Sequence, residues 1–485
     1  MILTLDIGTT HLKAALFQDD GMLASINQVA LLPNTASDGS FELEVLQWSS
    51  GLADLCAGLT IPSTLKAVVV SGNGPTLVPV LGRPRNLNGR LVASAENARL
   101  WLDRRAVREA GEISHLCGSF VDAGFFLPKA LYLYRHQRPL YDQTLYFLSS
   151  YDYLNYLLTS EAFSIMHAEG SERWYWSDSL LDRLGLDKEK FPPFCYPGDL
   201  IGTVTVLASG CLGIPAGIPV FAGGPDFFVS ILGTGAVELG RVCDRSGTSE
   251  GINLCVREPL ADDRLMTYRH PIKPFYNVSG IISTSGKAIG WAKDLFGMAQ
   301  ISFERMYAEM AKAVPGCGGL VFLPYLTGER APLWDPDARG VFNGLDLSTG
   351  RSEMLRSVAE GVCFAIRDVI TVMEELGGHV GELRITGGPA QSRFLNQLKA
   401  DITGRGILVP TMQEAELLGS LVLAQTALGE YASLAEAAEH LVRIKDHYLP
   451  DPHLKELYDG LFDIYRSTYR QLKTVHQHGK GVAET

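Results

Sequence analysis

Two glycine-centred turns, one near the N-terminus and one near mid-chain, constrain this sequence more than any other feature. The first is Asp6-Ile7-Gly8-Thr9-Thr10, between the apolar runs 2–6 and 12–17. The second is Ser246-Gly247-Thr248-Ser249, between 240–243 and 251–256. Short apolar runs joined through glycine and hydroxyl residues predict strand, turn, strand, and the return of that pattern points to two related halves. The chain has 485 residues, beyond the roughly 250–300 at which one hydrophobic core stops growing. Two large domains are therefore expected, 1–240 and 241–485, divided after the Gly-rich stretch 223–240.

Between the two turns, residues 95–110 carry apolar side chains at helical spacing, and 151–158 form an aromatic-rich helical stretch. Further on, 383–385 reads as a strand, Thr386-Gly387-Gly388-Pro389 as a turn, and 392–402 as a helix with Ser392 as its N-cap. A second strand-turn-helix spans 407–428. Alternating strands and helices define an α/β fold. The polar C-terminal residues 476–485 are expected to fray.

Composition limits the partners. The formal net charge is −12 and the basic residues are scattered, which argues against a nucleic-acid or anionic-membrane surface. No basic leader opens the sequence, and no run approaches the ~18 apolar residues of a membrane span. A cytoplasmic protein acting on a small molecule is expected, with room for a homodimer. The eight cysteines include no Cys-x-x-Cys pair and read as reduced structural thiols.

Several segments have the residue types for phosphate chemistry. In the first turn, Gly8 permits close approach to phosphates, Thr9 and Thr10 supply hydroxyls, Lys13 adds a cation, and Asp6 could hold a magnesium ion through water. The turn leads into a strand and lacks Gly-Lys-Ser/Thr, which excludes a P-loop. Gly247 and Thr248 offer a second phosphate-facing turn, although each turn alone is equally a plain hairpin with capping hydroxyls. Gly223-Gly224-Pro225-Asp226 follows the apolar run 219–222 and sets an acid at a strand end. Locally, two readings of Asp226 stay open: a general base for phosphoryl transfer, or the cap of the next helix. The pair Gly387-Gly388 before a helix would let backbone pass over an adenosine.

In this order the segments resemble one family, the FGGY carbohydrate kinases. Asp6 to Thr10 is similar to the family's first phosphate motif, and Gly223 to Asp226 to its Gly-Gly-x-Asp segment. Ser246 to Ser249 resembles the second phosphate motif. The run Phe322-Leu323-Pro324-Tyr325-Leu326-Thr327-Gly328-Glu329-Arg330 resembles the segment before the adenosine site. Gly387 to Arg393 with Asn396-Gln397, then Ala415-Glu416-Leu417-Leu418-Gly419, resemble the adenosine motif and the helix behind it. The resemblance implies two ribonuclease-H-like, actin-type ATPase domains with a catalytic cleft between them. It also implies ATP and Mg2+ as cofactors and a small sugar or polyol as substrate. Asp226 is then the catalytic base, with Asp6 and Asp226 at the metal. Gly8, Thr9, Thr10, Lys13, Gly247 and Thr248 meet the phosphates, and Gly387, Gly388, Gln391 and Asn396 the adenosine.

The sugar pocket departs from the pattern. Asn73, in Ser71-Gly72-Asn73-Gly74-Pro75-Thr76, stands where xylulokinase-like members place a histidine, and Asn97-Ala98-Arg99 stands where many have Asp-x-Arg. Asn73, Asn97 and Arg99 are therefore the candidate substrate residues, with a ketopentose such as xylulose the expected acceptor. A polyol or sugar acid of the glycerol, erythritol or gluconate type is the alternative. An actin-like ATPase without sugar kinase activity is the rival class. Pro128-Lys129 with Leu131, Tyr132 and Tyr134 matches a further family signature in part.

Overall fold

Strands β1 (Ile2–Ile7) and β2 (His11–Phe17) form the first hairpin, closed by the Gly8 amide donating to the His11 carbonyl at 2.8 Å. The computed structural model describes residues 1–483. Around the hairpin lie β3 (Leu23–Ala30), β4 (Ala67–Gly72), β5 (Leu200–Thr203) and β6 (Pro219–Pro225), in the order β5-β6-β4-β1-β2-β3. β1, β4 and β6 run parallel; β2, β3 and β5 are antiparallel to their neighbours. Every residue of β1 and of β4 (Ala-Val-Val-Val-Ser-Gly) is buried, as expected of strands covered on both faces.

The second sheet repeats this order around β7 (Arg241–Ser246) and β8 (Glu250–Val256). Its other strands are β9 (Met266–Arg269), β10 (Tyr276–Ile282), β11 (Glu382–Thr386), β12 (Gly406–Pro410) and β13 (Ile444–Tyr448). They are arranged β13-β12-β11-β7-β8-β10-β9. β7, β11 and β12 are parallel, and the rest antiparallel. Strand for strand this is the first sheet with one strand added, so the repeated turns mark a real duplication of architecture.

The helices that position functional residues in the first half are α1 (Val107–Cys117), α2 (Phe126–His136), α3 (Ser150–Thr159) and α4 (Asp226–Thr234). In the second half they are α5 (Gly286–Leu295), α6 (Phe303–Met310), α7 (Arg351–Glu375), α8 (Arg393–Thr403) and α9 (Ala415–Ala427). Ser392 caps α8 as expected, its hydroxyl accepting from the Leu395 amide.

Three sequence expectations are corrected. Residues 95–110 are not one helix: Ala98–Arg99 pairs with the short strand Phe41–Leu43, and α1 begins at Val107. The carbonyls of Arg99 and Leu100, which a helix would use internally, are taken by the Lys129 ammonium. The chain forms two compact units, but the division falls at Gly233–Thr234 rather than after Gly240. Segment Glu416–Leu441 belongs to the first unit, and the chain from Val442 rejoins the second. Within the first unit, α9 packs so closely that a Cβ on Gly419 would lie 1.8 Å from the Val229 carbonyl oxygen of α4. Finally, helix Lys455–Ala483 runs through the region expected to fray; 484–485 lie outside the described residues.

All eight cysteines are free thiols. Among the described residues no helix is long and apolar enough to cross a membrane.

Candidate active site

In the first unit the parallel strands β1, β4 and β6 end on one edge of the sheet, and the candidate residues cluster there. A bulge in β6 between Ala222 and Gly224 aims the chain into α4. Gly223 is required at this bulge, since a Cβ would sit 2.3 Å from the Val70 carbonyl oxygen, and Gly224 has φ +114. Asp226 follows as the first residue of α4, half-buried, with Oδ1 accepting from the Phe227 amide at 2.7 Å. It thus touches the start of its own helix without being fully buried, so the cap and base readings are compatible.

Asp6, at the end of β1, is buried and accepts from the Ser71 hydroxyl at 2.9 Å. Burial pushes its carboxyl up to about 8; the carboxylates of Glu416 and Asp226 reinforce the shift, and the Ser71 hydroxyl and Lys13 oppose it. Lys13 lies opposite Asp6 in the hairpin register. A carboxyl kept from ionising by burial and by two like charges is where a divalent cation would relieve repulsion. Among the described residues no three acids, histidines or cysteines converge as a ready metal cage. A cation here would take one or two carboxylates plus water and phosphate oxygens, the set that suits Mg2+.

Thr9 and Thr10 sit at the turn, Thr9 accepting from the Trp101 indole at 3.1 Å and Thr10 contacting His11 Nδ1 at 3.1 Å. Asn73 is buried: its amide N–H donates to the Ile7 carbonyl, and its Oδ1 accepts from the Thr76 hydroxyl at 2.9 Å. Its Nδ2 is buried and meets no acceptor among the described residues. Asn97 is exposed and donates to Glu42 Oε2 at 3.2 Å. Arg99 is buried against Gln137 and Tyr132, and burial lowers its guanidinium to about 10. The Asp-x-Arg spacing is present a few residues on, at Asp103-Arg104-Arg105. There the buried Asp103 carboxylate receives Arg105, which also bonds Glu42 at 2.5 Å.

In the second unit, a cavity of about 1090 Å³ is lined by both exposed turn residues, Gly247 and Thr248, and by Gly388 and Gln391. The amides of Ser285 and Gly286 donate to the carbonyls of Thr248 and Gly247, bringing the start of α5 onto the turn. Gly387, with φ +93, is compelled by packing: a Cβ would lie 1.9 Å from the Ser246 carbonyl oxygen. Asn396 is buried and does not line this cavity; it braces the turn by donating to the Ala390 carbonyl at 2.8 Å. Beneath the turn, Lys399 of α8 bonds Asp244, Ser246 and Glu250, all buried. Burial works against its charge, yet the two acids hold the ammonium above its usual range.

Sequence reasoning missed the aromatic wall of this cavity. Phe303 and Tyr307 of α6 stack at 6.1 Å, and Tyr307 and Phe394 at 6.4 Å. The i, i+4 spacing of Phe303 and Tyr307 was the available signal. Lys287, at the start of α5, also lines the cavity. Trp176 is buried core, whereas Trp174 is half-buried edge-on to Phe125.

Duplicated sheets of this topology with glycine turns at both central hairpins define an actin-type ATPase fold. The sequence model for the N-terminal domain of the FGGY family of carbohydrate kinases matches residues 1–233, and that for its C-terminal domain matches 245–428. The chain belongs to this family of sugar kinases. It is 27% identical to the xylulose kinase of Staphylococcus epidermidis over 98% of this chain and 97% of that protein, and 25% identical to that of Bacillus subtilis over 98% of each. Its fold resembles a xylulose kinase from Lactobacillus acidophilus (TM-score 0.85, 24% identity, 98% and 99% covered). A gluconate kinase from the same organism is as similar (TM-score 0.84, 25% identity, 97% and 98% covered).

Proposed function

We propose that this chain transfers the γ-phosphoryl group of ATP to a hydroxyl of a ketopentose, with Asp226 as the base that accepts the hydroxyl proton. The observation that carries this reading is the placement of Asp226 and Asp6 on one sheet edge, close enough that the Asp226 charge helps to raise the Asp6 carboxyl. One acid is half-exposed and able to take a proton; the other is poised for a cation. Mg2+, when bound, would offset charge on the phosphates, held by Asp6 and Asp226. Thr9, Thr10 and Lys13 supply donors on the acceptor side.

The nucleotide's part falls to the second unit. Gly247 and Thr248 offer backbone and hydroxyl donors to phosphates, and Lys287 a charge. Gly388 and Gln391, with the aromatic wall, suit an adenosine. Asn396 and Gly387 shape that surface from behind.

Full-length similarity to xylulose kinases favours a ketopentose acceptor, and the likeness to a gluconate kinase makes a sugar acid the second reading. A coupled kinase assay across ketopentoses, ketohexoses, alditols and aldonates, read as relative kcat/KM, tests the assignment. A ketopentose should lead. ATP hydrolysis with no sugar phosphate from any acceptor would overturn it.

A further inference from the structure

Lys129, on α2, is 1% exposed and has no carboxylate within ion-pair distance among the described residues. Its ammonium donates instead to three main-chain carbonyls: Pro75 at 2.9 Å, Leu100 at 2.8 Å and Arg99 at 3.3 Å. Three N–H donors meet three acceptors, so the group is satisfied as a cation. Burying an ammonium without a counter-ion is nevertheless costly, and burial pushes the amine down to about 7, against the pull of Asp103 and Asp122. For filling space alone, an apolar side chain would serve better.

What the three carbonyls have in common is their position. Pro75 lies in segment 73–76, where Thr76 bonds the Asn73 side chain. The next residue, Gly74, packs against Tyr151 and Pro225, the latter immediately before Asp226. Arg99 and Leu100 precede Trp101, whose indole holds the Thr9 hydroxyl, and Arg99 and Leu77 exchange main-chain hydrogen bonds at 2.8 and 2.9 Å. One ammonium therefore ties the segment beside Asp226 to the segment that steadies the first phosphate turn.

We infer that Lys129 is a positioning residue that fixes the spacing of segments 73–76 and 99–101, and through them the acceptor's approach to Asp226. The inference rests on the kinase reading above. A misplacement of about 1 Å at a reacting centre can cost on the order of 100-fold, which sets the scale expected.

The test compares Lys129→Gln, which keeps two donors, and Lys129→Met, which keeps none, with the unaltered chain. Acceptor KM and kcat, ATP KM and thermal unfolding are measured for each. The expected result is acceptor KM raised and kcat lowered, together roughly 10- to 100-fold in kcat/KM for Met and less for Gln, with ATP KM unchanged. Folded variants with unaltered acceptor kinetics would overturn the inference, as would parallel losses for acceptor and ATP. So would failure of both variants to fold, which would make Lys129 a determinant of stability alone. If the unaltered chain phosphorylates no acceptor, the kinase reading itself fails and takes this inference with it.

Discussion

The two sheets share their strand order yet surround the acids beside each glycine turn differently. In the first unit, Asp6 has one hydroxyl partner and two carboxylates for neighbours, and its carboxyl is pushed up to about 8. In the second, the buried acids Asp244 and Glu250 flank the turn and share the Lys399 ammonium, which holds the Glu250 carboxyl down to about 2 despite its burial, while burial and the Glu250 charge push the Asp244 carboxyl well up. The same hairpin is thus used once with an acid that Ser71 and Lys13 only partly offset and once with an acid pair that shares one buried ammonium. The first arrangement would favour an arriving cation; the second fixes a turn beside the large cavity of the second unit. Duplicated architecture does not imply duplicated chemistry, because the strand ends, not the sheets, carry the difference.

Removing the internal cation should break the second arrangement most severely. Lys399→Met leaves two buried acids with hydroxyl partners but no cation and should cost about 3–5 kcal/mol of stability, read by urea unfolding. An unchanged midpoint would mean the network is incidental.

At the first turn, the corresponding change should affect ligand binding rather than folding. Asp6→Asn should lower Mg2+ affinity roughly 10- to 100-fold, measured by titration in the presence of ATP. Little loss of stability is expected, since the substitution relieves repulsion.

The pH dependence sharpens the contrast. Unfolded, Asp6 ionises near 3.8; folded, it retains its proton to about 8. Between those values the folded form binds the extra proton, so the contribution of Asp6 to stability falls as pH rises through that window. Mg2+ should therefore raise Tm more at pH 8 than at pH 6, and its apparent affinity should climb with pH and level off above 8. The smallest effect is expected from Glu416→Gln, which removes one of the two repelling charges and should move that profile to lower pH without abolishing activity.

Much of this scaffold was legible in the sequence. Apolar runs meeting at Gly8 and Gly247 announce hairpins because the strands are buried on both faces and leave little room for other patterns. The capping hydroxyl of Ser392 marked the start of α8 correctly. What escaped were features set by distant partners. Residues 95–110 have helical periodicity, but Lys129 withdraws the carbonyls of Arg99 and Leu100 from any helix. The return of α9 to the first unit depends on Gly419 against Val229, on Gln425 donating to the Asp19 carbonyl and on Glu430 pairing with Lys66. No local signal encodes those contacts. Glu416 and Lys399 were passed over for the same reason, since each gains its meaning from groups more than a hundred residues away.

The central claim is that Asp226 accepts the proton of the acceptor hydroxyl. Single-turnover phosphorylation of a ketopentose by Asp226→Asn, alongside binding of a non-hydrolysable ATP analogue, tests it most directly. The account predicts a rate lowered by roughly 100- to 10,000-fold with analogue affinity unchanged. A variant that phosphorylates the sugar at the unaltered rate would contradict it.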